Sequence, residues 1–147
     1  MAVQLKQRDL FTKRWSKVKA PEPSELQVQM ALIERLGWQA LPNCVYFHVP
    51  NGELRDADPV EAKRRGAKLK AMGVLPGVLD VEFIWNDNAG RLRVLFLELK
   101  TKKGAMSDAQ VYFSQRVRRL RCDVETAYSV DEATAILQRY GILPKQA

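Results

Sequence analysis

The stretch from Val78 to Lys100 constrains this chain more than any other. Two apolar runs, Val78–Trp85 and Arg91–Lys100, flank Asn86-Asp87-Asn88-Ala89-Gly90. Asn, Asp and Gly are the residues that accept tight-turn backbone geometry, so the spacing predicts an antiparallel hairpin. Side chains alternate along a strand, which puts Leu92, Val94, Phe96, Glu98 and Lys100 on one face. Leu95, Leu97 and Leu99 take the other, with Val81, Phe83 and Trp85 opposite them. A turn centred at Asn88 or Ala89 places Asp80 across from Phe96 or Glu98, and opposed residues project to the same side. Asp80, Glu98 and Lys100 therefore converge at one end of an otherwise apolar face, near its strand ends, where Gly73 and Gly77 allow close approach.

Such an arrangement is costly unless a cation joins it. Two carboxylates about 4 Å apart repel by roughly 4 kcal/mol at an effective dielectric of about 20. Lys100 offsets one charge and leaves at least one more. A hard divalent ion such as Mg²⁺ or Mn²⁺, which prefers carboxylate, carbonyl and water oxygens, would satisfy the remainder. The backbone carbonyl of Leu99 lies between the two side chains as a further ligand. Spacing alone leaves a simpler alternative open, an Asp–Lys or Glu–Lys ion pair at a sheet edge.

The rest of the chain supplies a frame for this hairpin. Ser24-x-x-Gln27 has capping-box form and opens a helix with an apolar stripe of Leu26, Met30 and Ile33, with Ala31 and Leu32 as further candidates, stopped at Gly37. A short strand, Val45–Val49, runs into the turn Pro50-Asn51-Gly52. Asp58-Pro59-Val60-Glu61 starts a second helix that extends to about Met72 and Gly73. Ser107-x-x-Gln110 heads a helix to about Arg121, Val124–Tyr128 is a strand, and Asp131 caps a last helix ending at Tyr140-Gly141. Trp38 and Trp85 are expected in the core. The order α, β, α, β, β, α, β, α makes this an α/β chain. Its fold is a mixed β-sheet flanked by helices on both faces, with a parallel crossover between Arg91 and Tyr128. Residues 1–23 read as a basic arm and 24–147 as one domain.

Charge narrows the class of partner. With 24 basic against 17 acidic residues the net charge is +7, which favours polyanions. Arg55, Lys63, Arg64, Arg65, Lys68 and Lys70 form a basic run around the second helix, either a solvated face or a phosphate contact. His48 and Asn51, beside the first turn, are either structural or directed at substrate. Two cysteines and one histidine exclude a zinc finger and a disulfide framework, which suits a reducing, cytoplasmic setting. The uncharged stretch Gly37–Gly52 is too polar to span a membrane.

Several pieces, taken in order, add to this. They are Glu25 in the first helix, His48-Val49-Pro50-Asn51-Gly52, and Gly73-Val74-Leu75-Pro76-Gly77-Val78-Leu79-Asp80. Phe96-Leu97-Glu98-Leu99-Lys100-Thr101-Lys102-Lys103-Gly104 follows, then Met106-Ser107-Asp108-Ala109-Gln110. In these the chain, from about Ser24 to Tyr140, resembles the VRR-NUC family, a branch of the PD-(D/E)XK nuclease superfamily. One departure is plain: Leu79 stands where the superfamily has Pro before the catalytic Asp.

The resemblance implies a restriction-endonuclease-like core and a DNA endonuclease dependent on Mg²⁺ or Mn²⁺. Asp80 and Glu98 would hold the metal, with Glu25 looking in from the first helix as metal ligand, water ligand or support for a second ion. Lys100 would stabilise the phosphorane or position the attacking water. Gln110 would position Lys100, the water or the DNA backbone. Three carboxylates and one lysine leave a net −2, matched to one divalent ion. His48, Asn51, Arg55, Lys63, Arg64, Arg65, Lys68, Lys102 and Lys103 would face the nucleic acid. Stand-alone members of the family occur in phages and bacteria and act as homodimers on branched DNA. A chain that kept the fold and lost turnover, a nucleic-acid-binding module, is the alternative.

Overall fold

The computed structural model describes residues 21–50 and 58–145. In chain order the elements are α1 (Glu25–Gln39), β1 (Cys44–His48), α2 (Pro59–Ala71), β2 (Val81–Asn86) and β3 (Leu92–Leu99). They continue with α3 (Asp108–Arg119), β4 (Asp123–Ala127) and α4 (Val130–Arg139). The strands form one sheet in the order β1-β2-β3-β4. β2 runs antiparallel to both β1 and β3, and β4 runs parallel to β3, so the sheet is mixed as the sequence predicts.

The central hairpin pairs Val81 with Leu97 and Asn86 with Leu92, which centres the turn on Ala89. Asp87 makes that turn: its Oδ1 accepts the amides of Ala89 and Arg91 at 2.9 and 3.0 Å. Strand alternation then builds two cores. On one face Val81, Phe83, Trp85, Leu95, Leu97 and Leu99 pack against Val28, Leu32 and Leu36 of α1 and Ala133, Ile136 and Leu137 of α4. On the other, Phe96 meets Leu79, Val124, and Phe113 and Val117 of α3, with the Phe96 and Phe113 rings edge-to-face at 5.0 Å. Leu79 is fully buried in this second core.

Four expectations need correction. The buried stripe of α1 is Val28, Leu32 and Leu36, while Leu26 and Met30 are each 64% exposed. Both stripes have helical spacing, and the choice between them is made by what the helix packs on. Gly37 does not end α1: the Ala40 amide still donates to the Leu36 carbonyl at 2.9 Å. Burial of Leu36 outweighs the roughly 1 kcal/mol that a helical glycine costs. Trp38 is 84% exposed, whereas Trp85 is in the core as expected. The last helix is capped by Ser129, whose hydroxyl accepts the Glu132 amide at 3.1 Å, and Asp131 lies inside its first turn. Two boundaries also shift: β2 begins at Val81, and α3 ends at Arg119 with Arg121 (φ 65°) in the left-handed conformation beyond it.

α2 stands apart energetically. Every residue from Asp58 to Pro76 is exposed, so this helix is supported by its Asp58 cap and Pro59 start and not by core burial. Among the described residues no helix is long and apolar enough to cross a membrane. The phase of α1 is open to a direct check. Leu32→Ala is expected to lose about 2–5 kcal/mol of stability and Met30→Ala no more than about 0.5, as read from urea unfolding.

Candidate active site

Asp80 lies one position before β2, and continuing the Val81–Leu97 register sets it across from Glu98. Both flanking strands hold it. Its Oδ2 accepts the Leu99 amide of β3 at 2.8 Å. Its backbone carbonyl accepts the Val49 amide at 3.1 Å and lies 2.7 Å from Nδ1 of His48, the last residue of β1. A carbonyl only accepts, so that imidazole nitrogen carries the proton. In extended backbone the N–H and C=O of one residue leave on the same side. The Leu99 carbonyl therefore points toward the Asp80 edge of β3, as its amide does.

Glu98 is 1% exposed and belongs to the face covered by α3. Its Oε1 receives Lys100 Nζ and Gln110 Nε2. The orientation of Gln110 follows from the start of α3. Ser107 Oγ accepts the Gln110 amide, and Gln110 Oε1 accepts the Ser107 amide at 2.9 Å. With its oxygen committed to this capping box, Gln110 turns its NH₂ toward Glu98. The same side chain thus closes the cap and reaches into the site, where it bonds Glu98 and not Lys100. Gly77 seats it: at φ +82°, a Cβ here would lie 2.3 Å from Ala109 C and O and 2.7 Å from Gln110 N. Only glycine allows that turn to lie against the first turn of α3.

Burial dominates the electrostatics. Desolvation raises the carboxyl groups of Asp80 and Glu98 above their ordinary range, more than the Leu99 amide lowers the first or Lys100 the second. Neighbouring carboxylates add to the rise, Asp80 acting on Glu98 and Glu25 on Asp80. For Lys100 burial works against the ammonium, yet Glu98, Glu25 and Asp80 together lift it above the usual lysine value. Lys100 is consequently a held cation at neutral pH and not a proton acceptor.

The donor set fits a hard divalent ion. Glu98 Oε2 is buried and has no hydrogen-bond partner among the described residues, although Oε1 has two. An orphaned carboxylate oxygen beside a second carboxylate could serve as a metal ligand. Among the described residues no group of three or more Asp, Glu, His or Cys side chains converges on a common point. Mg²⁺ commonly takes one or two carboxylates and completes its shell with water and phosphate oxygens, so two are sufficient. Glu25 stands at the edge of the site, where its Oε1 accepts the Thr101 amide at 3.2 Å.

The other residues singled out from sequence are distributed as follows. Lys63, Arg64, Arg65 and Lys68 are exposed on α2, with Arg64 3.2 Å from Glu61. Glu61, Arg64, Arg65, Lys68, Leu69 and Met72 line a depression of about 430 Å³ on that helix, away from Asp80 and Glu98. Lys102 and Lys103 are exposed after β3, and Lys102 Nζ is 3.7 Å from Glu22. Asn51, Arg55 and the arm up to Ala20 lie outside the described residues. Among the arginines toward the end of α3, Arg118 donates to the Val124 carbonyl at 3.2 Å and Arg116 stacks on Tyr112. Sequence reasoning missed the Thr101 amide. Of the two glycines expected to allow close approach, Gly77 does so, whereas a Cβ at Gly73 would meet nothing within 4 Å.

The raised carboxyls carry a stability consequence. A folded-state pKa above the unfolded one means that the native protein holds the proton more tightly. Stability is then lost as pH rises out of the ordinary carboxylate range. Asp80→Asn keeps an acceptor for the Leu99 amide and removes the buried charge. In EDTA this variant is expected to melt above the wild type at pH 7, with the gap narrowing toward pH 4, by calorimetry.

Comparison with known proteins places the fold. No family model matches the chain, and no curated protein matches it. A solved structure described as "VRR_NUC domain protein" superposes with a TM-score of 0.60 at 19% identity, over 80% of this chain and 88% of that one. Together with the mixed sheet and its helices on both faces, this gives the chain a VRR-NUC-like fold.

Proposed function

We propose that the chain is a metal-dependent endonuclease that hydrolyses phosphodiester bonds in DNA and selects branched substrates such as four-way junctions. The orphaned Oε2 of buried Glu98, on a carboxylate shared with Lys100 beside Asp80, is the observation that carries this reading. Asp80, Glu98 and the Leu99 carbonyl would hold Mg²⁺ or Mn²⁺, with Glu25 at the margin. A bound ion supplies Lewis acidity at the scissile phosphate and activates the attacking water.

The chain's own groups account for the rest. Lys100, kept charged by its acidic neighbours, stabilises the negative charge that builds on the phosphorane oxygens. Gln110 restrains Glu98 from the start of α3, so that the carboxylate stays in one rotamer as substrate enters. His48 and Val49 fix the backbone of Asp80 from the end of β1. Lys63, Arg64, Arg65 and Lys68 on exposed α2 track phosphates, joined by Lys102 and Lys103 and by Asn51 and Arg55. A homodimer would offer two such sites to two strands of a junction, in a bacterial cell or a phage-infected host.

Purified protein incubated with flap, splayed and four-way DNA tests the reading. Cleavage is expected in Mg²⁺ or Mn²⁺, none in EDTA, and none from Asp80→Ala. Lys100→Ala should lower kcat on the order of 10²–10³. Cleavage that survives Asp80→Ala removes the mechanism, and junction binding without cleavage in either metal leaves a binding module. Replacing Lys63, Arg64, Arg65 and Lys68 together by Ala should weaken binding to all sequences alike. The slope of log K against log salt should flatten by up to about 0.9 for each phosphate no longer neutralised.

A further inference from the structure

The turn that follows Lys100 is not held by its own strand. Thr101 to Gly104 close a tight turn, Gly104 N–H donating to the Thr101 carbonyl at 2.8 Å. Two residues next to the start of α1 reach across to it. Glu25 Oε1 accepts the Thr101 amide at 3.2 Å, and Glu22 Oε1 lies 3.7 Å from Lys102 Nζ. The second interaction joins exposed side chains and adds little. The first is a charge-assisted bond to the amide directly after the candidate catalytic lysine.

A glycine marks the point where these parts meet. A Cβ at Gly104 would lie 3.2 Å from Lys100 Cδ, 3.2 Å from the Thr101 carbonyl and 3.3 Å from Glu25 Oε1. The stem of Lys100, the turn backbone and the Glu25 carboxylate are thus packed within one side chain's width. Helix geometry explains why Glu25 is available. Glu25, Val28, Leu32 and Leu36 are spaced three, four and four residues apart and share one stripe, so burying Val28, Leu32 and Leu36 carries Glu25 to the site.

We propose that Glu25 is a positioning residue. Its carboxylate moors the Thr101–Gly104 turn to the start of α1 and thereby fixes the Lys100 ammonium against Glu98. The role needs an acceptor oxygen at this place more than it needs a charge or a metal ligand. It rests on the nuclease reading for its catalytic consequence, but the mooring itself is independent of that reading.

Two variants separate the possibilities. Glu25→Gln retains an oxygen that accepts the Thr101 amide; Glu25→Ala does not. Hydrogen exchange at the Thr101 amide, measured without metal, should remain slow in the wild type and Glu25→Gln and become fast in Glu25→Ala. The Leu97 amide in β3 serves as the internal reference for intact folding. On cleavable DNA, kcat should fall about 10–100-fold further in Glu25→Ala than in Glu25→Gln, with KM for DNA changing far less. Equal loss of kcat in both variants with unchanged Thr101 exchange would overturn the proposal and make Glu25 a charge or ligand. If no substrate is cut by the wild type while Thr101 exchange still depends on Glu25, the mooring stands and the nuclease reading fails.

Discussion

Glu98 is a carboxylate with almost no access to water, and its burial sets conditions that reach through the whole sheet. Its Oε1 is satisfied by a lysine two residues along the chain and by an amide from the start of α3, while Oε2 has no partner among the described residues. Desolvation pushes its proton affinity up, so the ionised form persists only with cations close by. Lys100 supplies one. The geometry of every neighbour serves the same need: the capping box that turns the Gln110 NH₂ inward, the glycine that lets α3 approach, the amide of Leu99 that holds Asp80 opposite.

Strand alternation makes this compatible with a stable fold. One face of β3 offers Leu95, Leu97 and Leu99 to the core under α1 and α4, while the other offers Phe96 to α3. The polar residues Glu98 and Lys100 come last on that second face, where β3 ends and the chain turns toward α3. The apolar side chains stabilise the middle of the sheet, and the carboxylates occupy its rim. A polar pair in the middle of β3 would have broken the second core, in which Phe96 and Phe113 stack edge-to-face. Glu98 at the rim keeps that core intact and still draws on its low dielectric.

Much of this was legible in sequence because it depends on period two and on turn chemistry. The Asn86–Gly90 turn fixes the hairpin register, and the register fixes which acid faces which; Asp80 could not have moved by one residue without flipping the strand. Both capping boxes were readable for the same reason, since their bonds span three residues. The phase of α1 was not, because Leu26-Met30-Ile33 and Val28-Leu32-Leu36 are equally helical and only the sheet beneath chooses. Yet the two expectations placed on that helix were mutually inconsistent. Glu25 at the site and Leu26 in the core lie about 100° apart around the axis. Taking Glu25 as the constraint would have selected the observed stripe. Trp38 follows from the same rotation, being carried outward when Leu36 turns in. The Thr101 amide was beyond reach, since a backbone group leaves no mark on composition.

α2 shows the opposite division of labour. It buries nothing, so its sequence answers to solvent and partners and not to packing. The charges of such a helix are solvated, neutralised within the chain or presented to something anionic outside it. Arg64 pairs with Glu61 of the same helix, and a pair that exposed is worth little. Like charges crowded on one short helix raise its energy when it is alone and lower it beside a phosphate backbone, where counterions are released. The stability withheld from α2 is the same kind of cost as the buried charge at Glu98. Under the proposed function each would be relieved by a ligand, a polyanion in one case and a divalent cation in the other, and a DNA phosphate with its metal would supply both together.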